Sequence, residues 1–101
     1  MVSQEDLLQI AEQDEKIKLG NAMHNLMNNS DFAIIYKHYV ESLPLELTYS
    51  LGTLEKDDTH SDNVARRLTA IALFKVFVED TVNQLPMAIE EKNRILNSGD
   101  N

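Results

Sequence analysis

Residues 71–78 read IALFKVFV, seven apolar side chains around one lysine. Such a run is a buried strand, part of a membrane span, or the middle of a helix packed on several sides, and its neighbours decide which. Val64, Leu68, Ile71, Val78, Val82, Leu85 and Ile89 follow one another at steps of four and three, with Lys75 filling the one gap. This heptad-like register cannot belong to a strand. Phe74 and Phe77 lie to one side of the stripe, and Ala65, Ala72 and Val76 to the other. The segment therefore reads as the most buried part of a long helix, apolar over more than half its circumference. Its expected core and interaction residues are Val64, Leu68, Ile71, Phe74, Phe77, Val78, Val82 and Leu85. A membrane span is excluded by length, since the apolar window 68–78 is about half of what a bilayer requires and contains Lys75. The lysine stem can lie along apolar surface while its ammonium reaches water or an acid.

The rest of the chain reads outward from this helix. Pro86 is expected to kink or briefly break it before it resumes as MAIEEKNRIL, and the polar residues 97–101 form a flexible tail. Upstream, EKDDTHSDN at 55–63 has no apolar residue and reads as a loop joining antiparallel helices, with Thr59 or Ser61 capping the long helix. Before it, Phe32, Ile35, Tyr36, Tyr39, Val40 and Leu43 repeat at three and four, with Ser30 as the expected cap. Pro44 interrupts this pattern, Ser42 offers a fresh cap, and Leu47, Leu51 and Leu54 continue it. Residues 31–55 are one kinked helix or two short ones; the pattern leaves both open.

At the amino terminus Ser3 and Asp6 resemble a capping box, with Asp in place of the usual Glu or Gln. Leu7, Leu8 and Ala11 share one face, and Leu19, Ala22, Met23, Leu26 and Met27 continue at helical spacing. The polar EQDEK between them predicts that residues 1–16 fray or project as an acidic arm. With 3 glycines and 2 prolines the chain lacks the turn chemistry of a many-stranded fold. The expected fold is all-α: a single domain over 1–101, a small bundle of three to four helices built on a long C-terminal helix kinked near Pro86.

Composition narrows function mostly by exclusion. The formal net charge is −8 and the pI about 4.7, so most of the surface repels a phosphate backbone, and direct nucleic-acid binding is not expected. Arg66-Arg67, the one adjacent basic pair, is too small for a nucleic-acid footprint. With no cysteine there is neither a disulfide scaffold nor a thiolate metal site. The acidic amino terminus is unlike a signal peptide, so a cytoplasmic protein without a membrane segment is expected. His24, His38 and His60 form no spaced ligand set. His60 stands among Asp57, Asp58 and Asp62, but the run lacks the glycine and terminal glutamate of a calcium loop and reads as a solvated turn. His38 and Ser42, four apart, are the one Ser–His pair at helical spacing, too little for a nucleophile and its base. No catalytic, metal or cofactor-binding residue is assigned.

KLGNAMHNLMNNSDF, the aromatic helix IIYKHYVESL, a polar loop, and the long helix VARRLTAIALFKVFVEDTV followed by a short acidic helix resemble, over residues 18–96, small acidic all-helical proteins of tailed bacteriophages. The resemblance implies a phage accessory or virion-associated role, in the host cytoplasm or the virion, and supplies no site residues. Together with the excess apolar helix surface it suggests a non-enzymatic interaction protein. The expected partners are further copies of the chain, as a dimer first, and a larger viral or host protein. The alternative is an acidic inhibitor that occupies a nucleic-acid-binding groove on a host protein; a hydrolase or metal enzyme ranks behind both.

Overall fold

The structure is a computed structural model and describes residues 2–53 and 58–99. It is all-α: α1 (Gln4–Met27), α2 (Ser30–Lys37), a π turn (His38–Ser42), α3 (Leu43–Thr53) and α4 (Asp58–Gly99), with no strand among the described residues. These helices form two units, Met1–Leu26 with Val78–Asn101, and Met27–Phe77, so α4 contributes to both.

Along α4 the buried side chains fall in two runs of seven-residue steps, Val64, Ile71 and Val78, then Thr81, Ala88 and Ile95. This confirms the helical reading of IALFKVFV, with two corrections. Ile89 is exposed and Ala88 takes the inward place, because an α-helix drifts against a strict heptad pattern over several turns. And the segment is not buried on several sides. Phe74 is 37% and Phe77 48% exposed, and Leu73 and Val76 are open as well, whereas Leu68, Val82 and Leu85 are half-buried. Pro86 sits inside α4 without ending it. A ring at this position removes one N–H but leaves the ladder on either side intact.

In the first unit, α1 runs antiparallel to the second half of α4. Asp14 pairs with Lys92 at 2.6 Å, and Gly20 sits against Thr81 and Leu85. The capping box is present: Asp6 N–H donates to Ser3 Oγ at 3.0 Å, and Ser3 N–H to Asp6 Oδ2 at 3.3 Å. The stretch EQDEK is therefore helix and not a projecting arm, since the acid Asp14 finds a cation on α4. Likewise Asn97 and Ser98, expected in the tail, belong to α4, and Ser98 Oγ donates to the Ile95 carbonyl at 3.0 Å.

In the second unit, α2, the π turn and α3 run back along the first part of α4. The choice left open for 31–55 resolves as one continuous helical path through residue 53, with Leu54 and Glu55 outside the described residues. The Leu43 N–H bonds to the His38 carbonyl, so the wide turn comes just before Pro44. A proline crowds the carbonyl four residues back, and an enlarged turn is a common way to absorb that strain. The core here is Leu47, Val64 and Ile71, covered by Tyr39, Val40, Leu43, Leu51 and Leu68.

Asn29, not Ser30, caps α2: the Phe32 N–H donates to Asn29 Oδ1 at 3.0 Å, and Ser30 is the first helical residue. Asparagine competes well with serine for a cap, so a one-residue shift costs nothing. Asn29→Ala should lower the stability by about 1 kcal/mol, and Ser30→Ala much less; thermal melts that rank them the other way would move the cap back to Ser30. The long helix also takes in residues expected to lie in the polar loop. α4 begins at Asp58, so Thr59 and Ser61 lie within it and cap nothing. Hydroxyls and the acid Asp62 are at home in a first helical turn, where N–H groups are unpaired and the dipole is positive. Residues 55–57 of the expected loop lie outside the described residues.

Candidate interaction surface

The exposed face of the second unit carries the most unusual chemistry of the chain. Phe32 stacks on Tyr36 with centroids 6.1 Å apart and planes at 26°. Tyr36 and Tyr39 both meet Phe74, at 6.2 and 5.6 Å, the latter edge to face at 88°. Phe74 in turn touches Phe77 at 6.5 Å. These arrangements suit the ring quadrupoles and add a little to burial. Phe32, Ile35, Tyr36, Tyr39 and Phe74 line an apolar cavity of about 270 Å³ that opens to solvent. Ile34, Ile35, Leu45 and Tyr49 are largely exposed on the same unit.

The positions follow from local structure. The aromatic residues of α2 are spaced by four, which sets Phe32 over Tyr36 on one face. Antiparallel packing on α4 then delivers Phe74 between the two tyrosines. Of the eight residues expected as core or interaction residues of the long helix, Val64, Ile71 and Val78 are buried, and Leu68, Val82 and Leu85 are half-buried. Phe74 and Phe77 belong to the aromatic face.

Two polar features were not expected from the sequence. Ser50 and His60 lie 3.3 Å apart (Oγ to Nε2), joining α3 to the start of α4. Ser50 Oγ also donates to the Leu47 carbonyl at 2.6 Å. Ten residues separate the pair, which is why no helical spacing could reveal it. His38 and Ser42 stand exposed at the two ends of the π turn.

The second feature is a polar crevice of about 420 Å³ in the first unit, with Gln13, Lys16, Gln84, Glu90, Glu91 and Arg94 along it. Arg94 grips the Glu91 carboxylate through both guanidinium branches. That hydrogen bond holds Glu91 below the usual carboxylate range; desolvation, the next effect in size, opposes it, and the guanidinium charge adds a smaller lowering. The stabilisation is present above the ordinary glutamate pKa and is lost as pH falls through the lowered one; at a fully solvated pair it is small. The crevice is lined by two cations, Lys16 and Arg94, and two acids, Glu90 and Glu91.

Gly20 was also silent in the sequence. A Cβ there would lie 2.9 Å from Leu85 Cβ and 3.3 Å from the Thr81 carbonyl. Its signal was a lone glycine inside a helix, which costs about 1 kcal/mol and so points to a packing reason.

Among the described residues, no group of three or more His, Asp or Glu side chains is placed to hold a metal ion, and no helix is long and apolar enough to cross a membrane. No protein-family model matches the chain, and neither a curated protein nor a solved structure matches it.

Proposed function

We propose that this chain is a non-enzymatic helical interaction protein that acts through protein–protein contacts, associates with itself, and docks on a larger protein. One observation carries the reading. The aromatic face of the second unit leaves Ile34, Ile35 and Tyr49 largely exposed beside an open apolar cavity lined by Phe32, Ile35, Tyr36, Tyr39 and Phe74. Surface of this kind and extent marks an interaction site. The setting we propose, a phage accessory or virion-associated one, rests on the resemblance of residues 18–96 alone.

Sedimentation equilibrium of the full chain across micromolar concentrations tests this. The expected mass rises above that of one chain and changes little with added salt, since apolar contacts are not screened. A strictly monomeric mass at every concentration would overturn self-association. An association that dissolves steeply with salt would instead favour the acidic-mimic alternative.

A further inference from the structure

We infer that the π turn at His38–Ser42 is a one-residue phase correction that turns the aromatic stripe of α2 onto α4, so that the aromatic face forms only while this turn is wide. The path from α2 through the turn into α3 is continuous, and the Leu43 N–H closes on the His38 carbonyl, five residues back. A turn closed on the fifth residue houses one residue more than an α turn, while the helix keeps its own register on either side. That extra residue decides which side of α2 meets α4.

Phe32 stands nineteen residues before Leu51. At about 3.6 residues per turn, an uninterrupted α-helix would set the two about 100° apart. With one residue taken up in the wide turn they lie five whole turns apart, on the same side. Tyr36 and Tyr39 then fall within roughly 40° of the same line. The packing follows this line on both sides of the turn. Leu43 and Leu51 cover Leu47, Val64 and Ile71, and Tyr36 and Tyr39 both meet Phe74. Without the extra residue, each position of α2 would give way on that line to the next in sequence: Ala33 for Phe32, Lys37 for Tyr36, and Val40 for Tyr39. A lysine that now stands exposed would turn toward the apolar side of α4, and the rings would swing away from Phe74. Pro44 alone does not demand the wide turn, because Pro86 is held inside α4 as ordinary α-helix. The proline marks where the helix gives most readily, and the apolar spacing sets the need for one residue more. This holds whether or not the aromatic face docks on a partner.

The test removes and adds a residue at the turn of the full chain, with Pro44→Ala in every variant so that no proline is forced into a plain α turn. Pro44→Ala alone should keep nuclear Overhauser contacts from the Tyr36 and Tyr39 rings to Phe74. Further deletion of Glu41, an exposed residue of the turn, leaves a plain α-helix with Phe32 and Leu51 on one side. That chain should keep both contacts and melt no lower than Pro44→Ala. An alanine inserted after Glu41 adds to the mismatch instead, and should lose both contacts and melt lower. In a helix with no phase to correct, the two changes would do equal harm, each rotating one half against the other by about 100°. Loss of the ring contacts in Pro44→Ala alone, or in the deletion, would overturn the phase correction. So would a deletion and an insertion that melt alike.

Discussion

Ile71→Ala should lower the folding stability by about 2–5 kcal/mol, the usual cost of emptying a buried site that cannot collapse around the loss. Ile71 is 4% exposed and meets Leu47 and Val64 in the core of the second unit. For a small domain with a total of about 5–15 kcal/mol, that is a large fraction. Phe74→Ala removes more atoms but from a side chain already open on one side, so its effect should be the smaller of the two. Thermal melts of the two variants beside the parent decide the order. If Phe74→Ala falls further than Ile71→Ala, the aromatic face and not the Leu47, Val64 and Ile71 cluster is the centre of this unit.

Gly20→Ala should destabilise by about 1–3 kcal/mol, the range of overpacking. In an open helix the same change stabilises by roughly 0.5–1 kcal/mol, because glycine loses more freedom on folding. The sign reverses at Gly20 because the added methyl would lie 2.9 Å from Leu85 Cβ and 3.3 Å from the Thr81 carbonyl. Leu85 can turn its Cδ1 aside, but its Cβ is fixed to the backbone and the carbonyl is backbone, so neither of these can. Gly52 provides the internal comparison, since nothing stands within 4 Å of a Cβ there, and Gly52→Ala should raise the melting temperature. Two alanine variants that both stabilise would mean that α1 and α4 do not approach closely at Gly20.

The helical fold was legible because its signals are periodic. The spacing of Val64, Leu68, Ile71, Val78, Val82 and Leu85 identified α4 and its inward face, and Ser3 with Asp6 located the start of α1. What periodicity cannot report is whether a wide apolar arc finds enough chain to cover it. Phe74 and Phe77 look like core by composition, yet the second unit supplies too few neighbours and leaves them half open. Boundaries failed where polar residues are neutral between loop and helix. Thr59, Ser61 and Asp62 serve as well inside a first turn as in a connection, and Asn29 serves as well as Ser30. The aromatic surface was half visible: the spacing of Phe32 and Tyr36 is local, but their meeting with Phe74 depends on the antiparallel return of the chain. The Ser50 and His60 contact depends on it entirely.

The buried line of α4 has a further consequence for how so thin a core holds together. Val64, Ile71, Val78, Thr81 and Ile95 are β-branched, and Ala88 has no side-chain torsion to lose. Branching at Cβ leaves valine and isoleucine essentially one rotamer on a helix. Ordering them on folding therefore gives up little side-chain entropy, far less than the roughly 1.5–2 kcal/mol of a long flexible side chain. The leucines at 7, 8, 19, 26, 45 and 73 and the methionine at 87 stand outside, where they keep their rotamers. Rigidity is thus concentrated in the buried line that sets the fold, and adaptability in the exposed apolar side chains.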